Sequence, residues 1–305
     1  MKRNRGDSGK HFTIEGSHFI SRGLTCRGLL YRPEGISEPP VIVMAHGFAA
    51  EMAFGIPPFA ERFVRQGIAA FLFDYRCFGK SEGEPRNLVS PSRHVRDWHS
   101  ALAHVRTLNG IDTGRIALWG SSFSGGHVIT VAARDHDIAA IIAQVPFVDG
   151  VSTVRRTGYL HALQATGASL RDLLRILTFR KPYYIPVVGN PDTFALMNTP
   201  ESYPGYMSIV PEDTTWRNEC PARIALQLLL YRPRSLAKKV RCPALLVCAE
   251  NDSLIAPDAV RKTAARMSNA TIVSMPVGHF DVYTGSFFEE VVAAEADFLQ
   301  KHLSA

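Results

Sequence analysis

Apolar residues along this chain occur in two alternating patterns. Short continuous apolar runs, such as Val41–Ala45 and Ile68–Phe73, predict strands that are covered on both faces. Longer segments carry an apolar residue at every third or fourth position, for example at Val95, Trp98 and Leu102, which predicts helices. Strands and helices that alternate in this way predict an α/β fold, with a mostly parallel central sheet and helices on both faces.

The predicted elements can be placed along the chain. The predicted strands are His11–Ile20, Gly23–Tyr31, Val41–Ala45, Ile68–Phe73, Ile116–Trp119, Ile138–Val145, Ala244–Ala249 and Thr271–Met275. The predicted helices are Phe59–Gln66, Ser92–Leu108, His127–Ala133, Ser169–Leu177, Pro221–Leu230, Pro257–Met267 and Ser286–Leu303. The first two strands look like an antiparallel edge of the sheet.

The pattern changes between residues 147 and 235, where strand-like runs fade. Six of the nine tyrosines fall in this segment, together with Trp216. Its part Lys181–Pro211 is rich in Pro, Gly and Asn, and a loop of that length without a function would be unusual. We therefore predict a mainly helical cap at 147–235, inserted into an α/β core formed by 1–146 and 236–305. The candidate substrate-binding residues in the cap are Tyr183, Tyr184, Tyr206 and Trp216, although each could equally be an ordinary core residue.

The segment that follows the strand Ile116–Trp119 is the first candidate for chemistry. It reads Gly-Ser-Ser-Phe-Ser-Gly-Gly from residue 120 to 126 and leads into a helical pattern. A strand, a tight turn bearing a hydroxyl group and a helix form the layout of a nucleophile elbow. The same letters taken alone could be a flexible loop. Ser122 is favoured over Ser121 and Ser124, because small residues flank it two positions away on each side.

A base and an acid follow later in the chain, each just after a predicted strand. His279 follows the last strand and Asp252 follows the strand before it. Nucleophilic acyl transfer needs a hydroxyl group, a base and a group that orients the base. In parallel sheets such sites lie beyond the carboxyl ends of the strands. Glu250 is the alternative acid, and Asp281 is interpreted as a local hydrogen-bond partner or a surface group.

These motifs resemble the α/β-hydrolase superfamily, whose triad has the same Ser, Asp, His chain order. The resemblance extends from about Pro40 to the C-terminus and includes His46-Gly47-Phe48 after the third strand. The segment from Asp74 to Ser81 is similar to the family's D-x-R-G-x-G-x-S loop, with Cys77 in place of a glycine. A second departure is Ser124, which stands where the family's G-x-S-x-G motif has glycine.

The resemblance implies a role for each matching residue. Ser122 would be the nucleophile, His279 the base and Asp252 the acid that orients it. The oxyanion donors would be the backbone N–H groups of Phe48 and Phe123. The branch that the chain looks like contains polyketide transferases and Xaa-Pro-peptidase-like hydrolases. It implies a serine hydrolase that cleaves a small-molecule ester or thioester; an acyltransferase, a peptidase and a non-catalytic binding protein remain alternatives.

The composition of the chain indicates the class of protein, its partners and its cellular compartment. The 305 residues are 46% hydrophobic and 20% charged, as in globular proteins. The net charge is +6, and basic residues cluster locally only in Met1–Lys10. We therefore predict no nucleic-acid partner. Five cysteines without CxxC spacing predict free thiols in a reducing compartment. With no signal peptide apparent and no bilayer-spanning apolar run, we predict a cytoplasmic protein that does not bind membranes; its oligomeric state is left open.

Neither a metal-ligand pattern nor a glycine-rich phosphate loop is visible, so we predict no metal and no cofactor. His94, His99 and His104 share one predicted helix but lack i, i+4 spacing, and we expect them to be exposed. Two further residues are given structural interpretations. Asp74 is expected to pair with Arg76, and His46 is expected to shape the loop at residues 46–48.

Overall fold

A computed structural model describes residues 12–304 of the chain. The basic segment Met1–Lys10 and the predicted strand start at His11 lie outside these residues. The strands are β1 (Phe12–Gly16), β2 (Phe19–Ser21), β3 (Leu24–Cys26), β4 (Gly28–Pro33), β5 (Pro40–Ala45), β6 (Ala69–Phe73), β7 (Asp112–Ser121), β8 (Ile138–Gln144), β9 (Tyr184–Ile185), β10 (Cys220–Pro221), β11 (Ala244–Ala249) and β12 (Ala270–Met275). The helices are α1 (Pro57–Arg65), α2 (Pro91–Val105), α3 (Phe123–Ala132), α4 (Gly150–Thr157), α5 (Tyr159–Leu177), α6 (Ser202–Ser208), α7 (Ile224–Leu230), α8 (Pro257–Ala264) and α9 (Gly285–Leu303).

Eight of these strands form one sheet, in the order β1-β4-β6-β5-β7-β8-β11-β12. The pairs β1–β4 and β4–β6 are antiparallel, and every other neighbouring pair is parallel. The sheet is covered on both faces, because β6 and β11 are buried at every position, and α3 and α9 both pack on β7 and β8. The prediction of a mostly parallel α/β sheet is therefore confirmed.

The N-terminal edge contains four short strands where the sequence pattern predicts two. Each predicted strand is interrupted, at Ser17-His18 and at Arg27, so that β2 and β3 leave the main sheet and pair with each other as a hairpin. Arg22 and Gly23 form the hairpin turn, with φ angles of +52° and +80°. Glycine adopts this left-handed backbone conformation without strain, and the turn connects β2 to β3.

The chain between β8 and β11 carries α4 to α7 and long connecting loops. The prediction of a helix at Ser169–Leu177 captured only the second half of α5, which begins at Tyr159. The face that α5 turns toward its own chain bears Ala165, Ser169 and Asp172, which are small or polar residues. Because that face lacks large apolar side chains, hydrophobic periodicity did not reveal the first half of the helix.

Three further observations concern the described part of the chain. Within residues 12–304, no helix is both long enough and apolar enough to cross a bilayer. No group of three or more His, Cys, Asp or Glu side chains in the same range could hold a metal ion. All five cysteines are free thiols.

Candidate active site

Ser122 lies at the sharp turn between the end of β7 and the start of α3. Its φ and ψ angles are +55° and −117°, a conformation that costs a non-glycine residue about 1–3 kcal/mol. Two backbone hydrogen bonds hold the turn. The Ser122 N–H donates to the Gln144 carbonyl, and the Phe147 N–H donates to the Ser122 carbonyl, both at 2.8 Å. The end of β8 therefore holds the strained turn in place.

The small residues around the turn are required by close backbone approaches. A Cβ atom at Gly120 would lie 2.4 Å from the Ser124 carbonyl oxygen. At Ser124, where related motifs have glycine, the side chain is fully buried and its hydroxyl group lies 2.8 Å from the Tyr75 hydroxyl group. Tyr75 also accepts a hydrogen bond from the Trp98 indole N–H at 2.9 Å. The hydroxyl group that Ser124 adds at this position therefore has a buried hydrogen-bond partner.

Ser122, His279 and Asp252 come together beyond the carboxyl ends of β7, β12 and β11. The Ser122 Oγ lies 3.0 Å from His279 Nε2, and His279 Nδ1 lies 2.6 Å from Asp252 Oδ2. The second oxygen of Asp252 accepts backbone N–H bonds from Leu254 and Ile255, each at 2.7 Å. A neutral His279 that donates from Nδ1 to Asp252 has Nε2 free to accept the Ser122 proton.

Two opposing effects act on the pKa of His279. Complete burial lowers this pKa, because a charged imidazolium loses its hydration. The Asp252 carboxylate, through its charge and its hydrogen bond, and the charge of Glu201 act in the other direction and outweigh burial. The pKa of His279 is therefore raised above its ordinary value, which makes it a stronger proton acceptor than a free imidazole.

Phe123 directly follows Ser122 in the chain, and Phe48 lines the same space as Ser122. Phe123 is the first residue of α3, and Phe48 follows Gly47, where an added Cβ would lie 3.2 Å from the Ser122 Cβ. Among residues 12–304, neither the Phe48 nor the Phe123 N–H has a hydrogen-bond acceptor. Unpaired N–H groups at a helix N-terminus and in an adjacent loop can stabilise negative charge.

Glu201 joins the segment between β8 and β11 to the two loops that carry Asp252 and His279. Its Oε2 accepts the His279 backbone N–H at 2.8 Å, and its Oε1 accepts the Ser253 backbone N–H at 2.8 Å and the Ser253 hydroxyl group. A Cβ at Gly278 would lie 2.3 Å from Oε2, so this approach requires glycine. Sequence analysis missed Glu201, because it lies in a long loop without a recognisable spacing to any motif.

We expect Glu201→Gln to lower kcat about tenfold with little change in KM, since an amide can replace only one of the two accepting oxygens. Loss of the negative charge also lowers the pKa of His279, so the acidic limb of the kcat/KM profile should move to lower pH. Steady-state kinetics across a pH series measures both effects.

The matched control for this experiment is Glu250→Gln. Glu250 also follows a strand that ends at the site, but its carboxylate binds Arg261 at 2.7 Å and does not contact His279. Its substitution should leave kcat and the pH profile unchanged. An unchanged profile for both variants would mean that Glu201 only packs the loops together.

A cavity of about 230 Å³ opens beside Ser122. Most of its wall is apolar and comes from α4, α5, α7 and the loops that precede and follow these helices. Its lining includes Phe147, Ala162, Ala165, Leu196, Leu226 and Leu229. A smaller space of about 20 Å³ touches Ser122, His279 and Tyr206. The reacting hydroxyl group therefore faces an apolar chamber.

The four candidate substrate-binding aromatics occupy different places. Tyr206 lines the smaller space and donates a hydrogen bond to the Phe48 carbonyl at 3.0 Å. The other three, Tyr183, Tyr184 and Trp216, line neither space. The Tyr184 hydroxyl group donates to the Arg86 carbonyl, the Trp216 indole N–H donates to the Ala49 carbonyl, and Tyr183 lies under the Arg171 guanidinium. These polar atoms are used for contacts within the chain.

Two structural expectations about residues near the site are wrong. Arg76 pairs with Asp97 at 2.5 Å, not with Asp74, because α2 brings Asp97 to the same buried position. His94 is buried and stacks on Tyr75 with ring centroids 4.1 Å apart, so the expectation that it is exposed is wrong. It lies on the face of α2 that packs against the core.

Asp74 and His46 form a second buried polar pair behind the loop at residues 46–48. Asp74 accepts the Met52 N–H at 2.7 Å, and burial raises its pKa to about 7. His46 lies 3.8 Å from Asp74, and burial lowers the pKa of this imidazole to about 3. Neither side chain contacts the Ser122 hydroxyl group. Asp281, in turn, accepts the Gly278 N–H at 2.8 Å, as a local partner should.

Comparisons with known proteins agree with this architecture. Residues 38–277 match the family model described as serine aminopeptidase, S33. The quorum-quenching protein AidA of Acinetobacter baumannii is 37% identical over 283 residues, which cover 93% of each chain. The polyketide transferase af380 of Aspergillus fumigatus is 29% identical and covers 92% of this chain and 95% of its own.

Among solved structures, that of DcsB in complex with its substrate analogue superposes with a TM-score of 0.84 at 24% identity. The match covers 97% of this chain and 100% of DcsB, and at that identity it supports the fold alone. The family model covers most of the chain, and AidA is similar over nearly its whole length. The chain therefore belongs to the serine aminopeptidase S33 family of the α/β-hydrolase superfamily.

Proposed function

We propose that this protein is a serine hydrolase that cleaves a small-molecule carboxylic ester or thioester. The observation that carries the proposal is the arrangement of Ser122, His279 and Asp252, with separations of 3.0 Å and 2.6 Å, beside an apolar cavity. A hydroxyl group, a base and an orienting acid in contact are the components of acyl transfer through a covalent intermediate.

In the proposed mechanism, Ser122 Oγ attacks the substrate carbonyl carbon while His279 Nε2 takes the hydroxyl proton. The Phe48 and Phe123 N–H groups donate to the carbonyl oxygen as it becomes negative, each contributing roughly 3–4 kcal/mol to the transition state. His279 then gives its proton to the leaving alcohol or thiol, and an acyl-enzyme remains. A water molecule then attacks the acyl-enzyme while His279 Nε2 takes one of its protons. His279 gives this proton to Ser122 Oγ, and the carboxylic acid is released.

The cavity lining favours an ester over a peptide with a free amino terminus, despite the family's description. An aminopeptidase needs a negative group to bind the substrate α-ammonium. The residues that line the cavity include Arg156 and no Asp or Glu. An apolar acyl group can instead bury its surface against the leucine and alanine side chains, at about 25 cal/mol per Å².

We further propose that residues 147–235 act as a cap that determines substrate choice. Helices α5 and α7 of this segment supply much of the cavity wall, and Glu201 and Arg156 link the segment to the loop of Asp252. The five free cysteines support a reducing compartment such as the cytoplasm.

An acyltransferase activity of the same triad is the second candidate. The relative named as a polyketide transferase, which is similar over almost its full length, favours it. The two activities differ only in the acceptor that attacks the acyl-enzyme. Product analysis after addition of alcohols or thiols separates them, because a transferase forms the new ester or thioester in preference to the free acid.

The acyl chain is expected to occupy the cavity beside α5, which Ala165→Phe tests. This substitution adds a ring to the cavity wall, and we expect hydrolysis of long-chain p-nitrophenyl esters to fall by about tenfold or more. The acetyl ester needs only the space next to Ser122 and should be hydrolysed at a nearly unchanged rate.

Ala168→Phe provides the control, because Ala168 lies on the same helix but outside the cavity lining. It should leave the chain-length profile as it is. If Ala165→Phe affected acetyl and long-chain esters equally, the acyl chain would not occupy this cavity.

A further inference from the structure

Helix α5 has a buried face of small or polar residues and, on its opposite side, an exposed apolar face. One face, with Ala165, Ser169 and Asp172, is buried against its own chain. The opposite face carries a row that we call the outer seam, which consists of Leu160, Leu163, Gly167, Leu170, Leu174 and Leu177. Its five leucines are 74%, 57%, 56%, 62% and 77% exposed. A continuous apolar row of this kind on a surface marks an interaction site.

The outer seam has the spacing of a coiled coil. Its positions are separated alternately by three and four residues from Leu160 to Leu177, which corresponds to the a and d positions of a heptad repeat. A helix that packs on a globular core usually carries a broader apolar face with a period of 3.6 residues. The alternating spacing of three and four residues therefore matches that of a helix that packs along another helix.

The outer seam is also complementary to itself. When a second copy of α5 lies antiparallel about the midpoint between Gly167 and Leu170, all six positions pair. Leu160 then faces the partner's Leu177, Leu163 faces the partner's Leu174, and Gly167 faces the partner's Leu170. A two-fold axis requires this kind of self-matching surface on both subunits.

Gly167 supports the same arrangement independently. A glycine inside a helix is less favourable than alanine, because it loses more backbone freedom on folding. A Cβ at this position would meet no atom of the chain within 4 Å, so nothing in the single subunit requires glycine there. In the antiparallel pair, the missing side chain leaves room for Leu170 of the partner subunit.

We propose that the outer seam is the interface of a homodimer, formed by two antiparallel copies of α5. The residues that flank the outer seam are compatible with a second copy of α5. Arg171 would lie beside the partner's Gln164, and Thr166 beside the partner's Leu173. No like charges meet. Since the opposite face of α5 lines the cavity, dimerisation would also hold the cavity wall in place.

Sedimentation equilibrium tests the proposal. The wild-type chain should have twice its mass of 33.6 kDa at micromolar concentration. Leu170→Glu places two carboxylates at the centre of the interface and should raise the dimer Kd by at least about 100-fold. The control Ile20→Glu changes a side chain of similar exposure, 63%, in β2 and should remain dimeric. Circular dichroism and hydrolysis of a short ester confirm that both variants are folded.

The antiparallel register has a separate test. Leu163→Glu and Leu174→Lys should each produce monomers, whereas an equimolar mixture should form a heterodimer in which the new carboxylate faces the new ammonium group. A parallel pair or a different interface would not give this rescue. The proposal is overturned if the wild type stays monomeric, including the case in which the monomer binds phosphatidylglycerol vesicles. It is also overturned if Leu170→Glu remains dimeric.

Discussion

Ser122→Ala is expected to abolish covalent labelling by a fluorophosphonate probe and to lower kcat for ester hydrolysis by about 10⁶-fold. The probe forms its bond to the activated hydroxyl group, and Ser122 Oγ is the atom that lies 3.0 Å from His279 Nε2. Gel-based labelling and steady-state kinetics measure the two effects. The residual rate should reflect substrate binding and the oxyanion donors alone.

The neighbouring serines are matched controls for this experiment. The hydroxyl group of Ser121 contacts Tyr283 and accepts a hydrogen bond from the Gln144 amide, and that of Ser124 contacts Tyr75. Neither is in contact with His279. Ser121→Ala and Ser124→Ala should therefore keep their labelling. Labelling that persists in Ser122→Ala and disappears in one of these variants would refute the proposed nucleophile.

Asp252→Asn is expected to lower kcat by about 10⁴-fold while the fold stays intact. An asparagine amide can donate to His279 Nδ1, which favours the tautomer with its proton on Nε2. That tautomer cannot accept the proton of Ser122. Asp281→Asn is the matched control, because Asp281 lies two residues from His279 and its carboxylate accepts the Gly278 N–H. A loss of activity as small as that of the control would exclude Asp252 as the orienting acid.

The pH profile adds a second readout to the same variant. His279 must be neutral to act as a base. The value of kcat/KM is therefore maximal above the pKa of His279 and falls as the pH drops below this pKa. Asp252 raises this pKa, which places the wild-type limb above the ordinary histidine value of about 6.5. Without the carboxylate, the limb of the residual activity should move to lower pH.

The central sheet was predictable because its strands are encoded locally. Runs such as Ala244–Ala249 are fully buried in the structure, and a strand covered on both faces must be apolar throughout. The elbow was recognisable for a related reason. Close backbone approaches at Gly120 and Gly126 exclude larger side chains, so the local sequence records the geometry.

Contacts between distant segments were not predictable in the same way. Arg76 has an aspartate two residues before it, yet its partner is Asp97, which α2 brings into the same buried space. Glu201 contacts the loops of both Asp252 and His279 from a segment without regular spacing. Tyr184 and Trp216 donate hydrogen bonds to backbone carbonyls of the core loops. These partners are determined only by the folding of distant segments.

The sequence by itself determined the α/β fold, the hydroxyl group at the elbow, and the chain order of the candidate acid and base. It did so because strand burial, tight turns and strand ends each leave a local pattern. Only the tertiary structure decided that these side chains lie within hydrogen-bond distance, that Glu201 joins their loops, and that the outer seam of α5 faces solvent. Distances and exposure depend on how remote segments pack, and no local pattern records that packing.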